Sequence, residues 1–530
     1  MGKVVGIDLG TTNSVVATLD EGQPWVIPDE DGILLLPSYV GLSESGQLLV
    51  GQVASRQYGA APERTVKSIK RHMGTDYQVT LADQTYRPQE ISAIILRSLK
   101  QRAEAALGES VSQAVITVPA YFTDAQRQAT KEAGEIAGFE VLQILNEPTA
   151  AALVFEVETD ETENVLVYDL GGGTFDVSVV EITGSVTEVL ASHGNNRLGG
   201  DDFDRQLQRY LIDRFHQSHG VEVPEDPGIR ARLLQAAERA KIALSDHAFT
   251  TVREPFLVSK EDTALHLEVD ISREDFEHLI HPFLKETLEA IDRALSDAEM
   301  SPSDLNRVIL VGGSTRIPLV QRLVEDHLTD VPVSSFEPDL CVALGAALQA
   351  GVLTGEAVDN ILVDVCPHSL GIAAVIDTAL GPIPNMFSVI IPRNTVIPTS
   401  KSQVYFTMFD RQSIVEVEVF QGENPVAQEN VPLGSFEIEG LPPKPAGDVE
   451  VEVHFDFDLN GILTVTATEK GMGQQKSLVV NDTKVGRLSS HELNQARQQV
   501  SSLFESLETI DIDADWRETE DEDRLNLEEE

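Results

Sequence analysis

Apolar positions recur along this chain in three rhythms. From Val4 to about Val50 short apolar runs alternate with Gly and Asp turns, as in Val4-Val5-Gly6-Ile7 and Val15-Val16-Ala17-Thr18-Leu19, and read as buried strands. Between Pro88 and Leu107, Ile91, Ile94, Ile95, Leu99 and Ala106 fall at helix spacing. The run Ala114–Val118, closed by Pro119, then reads as a buried strand, and Ala125 to Ala137 as a helix. Asn164–Tyr168 and Arg307–Val311 are again continuous apolar runs, with a helix over Ala231–Ser245 between them. After a short apolar linker, Asp359–Pro367, the rhythm changes. Val415-Glu416-Val417-Glu418-Val419 and Val449–Asp458 alternate strictly, as half-buried antiparallel strands do. Ser489-Ser490-His491-Glu492 is a capping box that opens one amphipathic helix through Leu493, Ala496, Val500, Leu503 and Leu507. From Asp511 the composition is that of an acidic, disordered tail.

At 530 residues, 42% of them apolar, the chain has length for two to four domains with real cores. No apolar run approaches the roughly 18 residues of a membrane span, so no membrane association is expected. The N-terminus enters a strand without the basic region and apolar core of a signal peptide. With only Cys341 and Cys366, no disulfide framework is implied, and a cytoplasmic protein is expected. The formal net charge of -48 argues against nucleic acid as a partner, because phosphate backbones need clustered Lys and Arg.

Candidate chemistry concentrates in glycine turns that follow strands. Asp169-Leu170-Gly171-Gly172-Gly173-Thr174-Phe175-Asp176 ends a strand in an acid and turns on three glycines, whose N–H groups can line up around an anion. Without a ligand the same stretch is simply a glycine-rich hairpin. Its flanking acids would repel a bare phosphate and accept one that arrives with a divalent cation. Val4-Val5-Gly6-Ile7-Asp8-Leu9-Gly10-Thr11-Thr12-Asn13-Ser14 repeats the construction, which suggests duplicated halves clamping one polyphosphate. Lys70 beside Arg71 reads either as a surface pair or as a point charge on a phosphate. Glu147, before Pro148, sits at a helix mouth, where it either complements the dipole or orders water and cation near a phosphate. Gly199-Gly200-Asp201 is another glycine–acid turn. Glu238, Lys241 and Ser245 share one helix face, and Gly312-Gly313-Ser314-Thr315-Arg316 is a small-residue turn fit for a flat ring.

These stretches, with Val118-Pro119-Ala120-Tyr121-Phe122 and Asn146-Glu147-Pro148-Thr149-Ala150-Ala151, resemble the seventy-kilodalton heat-shock chaperones of the DnaK type, from Val4 to about Leu507. The first phosphate loop alone would be shared with actins and sugar kinases. The resemblance implies an α/β actin-like two-lobed ATPase domain over residues 1–357, a linker at 358–366 and an all-β sandwich peptide-binding domain at 367–486. A short C-terminal helix at 487–510, the remnant of a longer lid, and an acidic tail at 511–530 would follow. It implies ATP or ADP, Mg2+ and a further K+ as ligands. Lys70, Glu147, Asp169, Thr174 and Asp176 would be catalytic, with Lys70 at the γ-phosphate, Glu147 near the attacking water, and Asp8 and Asp169 near the metal through its water shell. Gly10, Thr11, Thr12, Asn13, Gly171, Gly172, Gly173, Gly199, Gly200 and Asp201 would hold phosphates. Glu238, Lys241, Ser245, Gly312, Gly313, Ser314, Arg316 and Asp339 would frame the adenosine. Pro119, Arg127 and Ile361-Leu362-Val363-Asp364 would relay between nucleotide and peptide, and Tyr405, Met408, Val415 and Val417 would line the peptide pocket, or be ordinary core.

Departures accompany the match. Most of the helical lid is missing, the stretch between Lys70 and Val115 is short, and Asp377–Phe387 is unlike the usual loop over the peptide cleft. Gln143 stands where an arginine would meet a J-domain co-chaperone, which puts that partner in doubt; a nucleotide-exchange factor remains expected. Partners would be unfolded or extended apolar polypeptides. Two other readings stay open: a nucleotide-dependent binding module for one dedicated client, and a small-molecule kinase on the same scaffold.

Overall fold

The structure is a computed structural model and describes residues 3–155, 161–260, 263–356, 360–378, 381–471, 475–479 and 488–508. Two large sheets carry the first two thirds of the chain. In the first, Lys3–Asp8 lies between Val111–Val118, with which it runs parallel, and Asn13–Asp20, antiparallel to it. In the second, seven-stranded sheet, Thr162–Leu170 lies between Arg307–Val311, parallel, and Phe175–Thr183, antiparallel. The two strands that end in Asp8 and Asp169 therefore occupy equivalent places, as the repeated motif predicts.

Continuous apolar runs make these strands central, because both faces are covered. Helices Pro88–Leu107 and Asp124–Ile136 cover the outer face of the first sheet, and Gly200–His219 and Arg273–Asp297 that of the second, while Pro227–Asp246 packs on the hairpin of Phe249–Lys260 with Thr263–Ser272. Between the sheets lie the small-residue helices Glu147–Leu153 and Cys341–Thr354, and their alanines pack with Val115, Val165, Val167 and Ile309. Glycine is what allows so close a layer. A Cβ on Gly345 would stand 1.7 Å from the Ala150 carbonyl oxygen, and one on Gly6 would stand 2.1 Å from the Ala347 nitrogen.

Beyond residue 365 the described strands other than Val396–Ile397 form two four-stranded antiparallel sheets. Val417, Val419, Phe436, Val451, Val453 and Phe455 build the core between them. The unusual stretch after Leu370 is a hairpin of Leu370–Thr378 with Gly381–Ile391. Its Pro382 and Pro384 sit on the outermost strand, the place in a sheet where a missing N–H is tolerated.

Within the segment expected as a linker, Ile361–Val365 is a strand. It runs parallel to Val186–Asn195 and pairs antiparallel with Val396–Ile397, so it joins the second sheet to the β unit. Helix Ser490–Glu508, expected as a lid remnant, packs on helices Pro88–Leu107 and Asp124–Ile136. Ala496, Val500 and Phe504 are buried in the first core, with Leu493 and Leu503 against it. Arg97 stacks over the Phe504 ring at 5.1 Å, and Arg87 pairs with Glu492 at 3.0 Å. The predicted apolar stripe is correct; its partner is the first unit and not the peptide-binding face. Burying one aromatic of this size contributes roughly 2–3 kcal/mol. The expected acidic tail lies outside the described residues. No described helix is long and apolar enough to cross a membrane.

Candidate functional site

The strand ends deliver their acids to one cleft. The glycine turns then close on each other with no room for side chains: a Cβ on Gly172 would lie 2.0 Å from Thr12 Oγ1, and one on Gly199 would lie 2.6 Å from the Gly172 carbonyl carbon. The Gly200 and Asp201 N–H groups donate to the Gly171 and Gly172 carbonyls at 3.0 and 2.7 Å, and Ser314 Oγ donates to the Gly171 carbonyl at 2.9 Å. Three turns from distant parts of the chain thereby form one rigid wall.

The cleft is a cavity of about 450 Å³. Asp8, Gly10, Thr11, Thr12, Asn13, Lys70, Glu147, Asp169, Gly171, Gly172 and Thr174 line one end. Glu238, Lys241, Ser245, Gly312, Gly313, Ser314, Arg316 and Asp339 line the rest. Five expected residues do not line it. Gly173, Gly199 and Gly200 support the wall from behind, and Asp176 accepts the Tyr121 N–H at 3.0 Å. Asp201 faces a neighbouring cavity of about 410 Å³ beside Lys67 and Arg71.

Lys70 is no surface residue: it is 4% exposed and ion-paired with the buried Glu147. Arg71 is the structural member of the pair, held by Asp202 through two contacts of 3.0 and 3.1 Å. Burial, reinforced by Glu147, raises the Asp8 carboxyl to about 7, and Lys70 only partly offsets it. Burial likewise lifts Asp176 to about 7 and Asp169 well above the ordinary range, with Glu147 again adding. Four acids thus crowd around Lys70, so this end of the cleft is short of positive charge. Among the described residues no three His, Cys, Asp or Glu side chains are set to ligate an ion together. That combination fits a Mg2+ ion that keeps its waters and is held largely by substrate phosphates.

The raised carboxyls have a measurable consequence. An acid whose pKa is raised holds its proton in the empty folded protein between about 4 and 7, and binding a cation must expel that proton. Binding of Mg2+ with ADP should therefore release more protons at about pH 6.5 than at about pH 8.5. Calorimetry in buffers of different ionisation enthalpy measures this; no release at about pH 6.5 would show that the acids are already ionised.

A second chain of contacts leaves the cleft. Arg127, 5% exposed, donates to Asn146 Oδ1 at 2.5 Å and to the Ala120 carbonyl at 3.0 Å. Asn146 Nδ2 in turn donates to Asp364 Oδ2 at 2.9 Å. Asn146, which the sequence reading quoted without a role, directly precedes Glu147 and so ties the Ile361–Val365 strand to the cleft. Pro119 is buried in the turn whose carbonyl accepts the Phe122 N–H. Also missed were Lys67, which lines the neighbouring cavity and reaches Glu238 at 3.5 Å, and Ile242, one helical turn after Glu238, which spacing alone places on the same face.

Of the four peptide-pocket candidates, Val417 is a correction: it is 1% exposed in the β core and offers no surface. Tyr405 and Val415 pack at the edge of that core, and Met408 is 41% exposed. Phe406 and Phe409, on either side of Met408 in sequence, are 55% and 71% exposed. Gln143 is buried and accepts from Gln349 Nε2 at 2.7 Å.

Two facing glycine walls with a lysine among buried acids suit a polyphosphate that arrives with a cation. A family model described as Hsp70 protein matches residues 4–529. The chain belongs to the Hsp70 family, whose members are ATP-dependent chaperones that bind ATP or ADP with Mg2+ and engage unfolded polypeptides and co-chaperones.

Proposed function

We propose that this chain hydrolyses ATP in the cleft between two actin-like lobes and uses it to capture and release extended apolar peptides on its β-sandwich. The contact that carries the reading is Asn146 to Asp364, which links the residue beside Glu147 to the strand leading into the β unit. In this reading Thr11, Thr12 and Asn13 hold phosphate oxygens from one wall, and the N–H groups of Gly172 and Thr174 hold them from the other. Lys70 neutralises charge at the γ-phosphate, and Glu147 orients the attacking water. Mg2+, held by Asp8 and Asp169 through water, supplies charge neutralisation on the phosphates. Such a site works by positioning and electrostatics more than by covalent chemistry. Glu238, Lys241 and Ser245 face Gly313, Ser314, Arg316 and Asp339 across the adenosine. Tyr405, Phe406, Met408 and Val415 contact peptide side chains while the peptide backbone pairs with strand edges. Two buried free cysteines suit a cytoplasmic setting.

Fluorescence anisotropy of a labelled extended Leu-rich peptide tests this. The expected result is tight binding in ADP and weak binding in ATP. Equal affinity in both states, or none, would refute nucleotide-controlled capture and leave the kinase or dedicated-client reading.

A further inference from the structure

We propose that Tyr121, clamped between His193 and His368, is an acid-sensitive latch that holds the β unit against the two sheets. Three units meet at this point. Tyr121 follows the first-sheet strand Val111–Val118, His193 lies on the second-sheet strand Val186–Asn195, and His368 begins the β unit. The rings of Tyr121 and His193 stack with centroids 5.2 Å apart, and His368 meets Tyr121 edge-on at 4.1 Å. His368 Nε2–H donates to the Tyr121 carbonyl at 3.2 Å, and Asn196 Nδ2 donates to the same oxygen at 2.7 Å. The Tyr121 N–H donates in turn to Asp176 Oδ1 at 3.0 Å, so the latch abuts the cleft wall. Gly194 makes room: a Cβ there would stand 3.2 Å from Tyr121 Cβ and 2.6 Å from Asp176 Oδ1.

Geometry requires His193 to be neutral. Its Nδ1 accepts the Gly194 N–H at 3.1 Å, and a protonated ring has no lone pair to accept with. The residue is 8% exposed. The groups facing the two rings do not favour a cation. Arg127 and Arg393 bear on His368, and Arg293 and Arg393 on His193. Of the acids near the cluster, Asp297 is paired with Arg393 at 2.6 Å, Glu423 accepts from the Ser369 N–H and hydroxyl, and Asp176 is held by Tyr121. Cys366 adds only its thiol, donated to the His368 carbonyl.

Burial, with these arginines, lowers both imidazoles to about 4, although the Tyr121 carbonyl pulls His368 the other way. A lowered histidine pKa means that the docked form holds fewer protons than the undocked form. Docking is therefore strongest above about pH 6.5 and weakens as pH falls. For His368 alone the undocked form gains about twofold at pH 6.5 and about 30-fold at pH 5. Acid would thus free the β unit without nucleotide turnover. The inference concerns docking only and does not depend on the chaperone reading.

Hydrogen exchange of the strand Ile361–Val365, in the full chain with a non-hydrolysable ATP analogue, tests it. Corrected for intrinsic rate, protection should fall at least about tenfold between about pH 7.5 and about pH 5, and should persist at the lower value in His193→Gln/His368→Gln. Equal protection of the native chain at both values overturns the latch, and so does equal loss in the double variant, which would assign the response to carboxyls. If the variant fails to dock at about pH 7.5, imidazole ¹⁵N shifts of the native protein decide. Rings neutral down to about pH 5 support the latch, and titration near 6.5 in the docked protein overturns it.

Discussion

Lys70→Ala should bind ATP within about tenfold of the native protein and hydrolyse it about 10²–10³-fold more slowly in a single turnover, the scale of one lost oxyanion-type donor. Among the described residues Lys70 is the cation paired with the buried Glu147, and its charge also bears on Asp8 and Asp169. Its charge matters most where negative charge builds on the transferred phosphoryl group, so the loss falls on the transition state more than on the ground state. Removing it also leaves Glu147 buried without its ion-pair partner, a change that costs stability by itself. Lys70→Ala/Glu147→Gln separates the stability cost, since it leaves no unpaired buried carboxylate at 147. A Lys70→Ala protein that turns over ATP at the native rate would end the assignment.

The second large effect concerns the joining strand. Leu362 pairs with Thr187 and packs against the core between the two sheets, whereas Ile361 beside it is 59% exposed. Leu362→Asp would require a carboxylate to be desolvated whenever the strand docks, at a cost of several kcal/mol. Stimulation of ATP hydrolysis by peptide should vanish in that variant, with basal hydrolysis within about twofold of native. Ile361→Asp, whose side chain stays in water, should retain most of the stimulation. Steady-state phosphate release with and without peptide measures both. Equal behaviour of the two variants would mean that strand docking does not carry the coupling.

What was legible in advance was what local chemistry dictates. Glycine–acid turns after apolar strands announced the phosphate walls because a turn's requirements lie within a few adjacent residues. The helix Ser490–Glu508 declared its apolar stripe for the same reason, but a stripe does not name its partner, and the partner proved to be helices nearly 400 positions earlier. Strict alternation placed Val415 and Val417 on one face of a strand. It could not say that Val417 would be sealed by Phe436 opposite it while Val415 stays at the edge. Lys67 with Glu238, Asn146 with Asp364 and Tyr121 with its two histidines escaped notice because each joins segments that only the tertiary fold brings together. Ile361–Val365 read as a linker since five residues of strand carry no mark of which sheet they will join.

The central claim is that nucleotide in the cleft controls peptide on the β unit. Stopped-flow release of the labelled peptide, from the ADP-bound protein mixed with ATP and Mg2+, tests it most directly. Release on mixing with ATP should be at least about tenfold faster than on mixing with ADP, and Leu362→Asp should abolish the difference. Identical release rates with the two nucleotides in the native protein would contradict the claim.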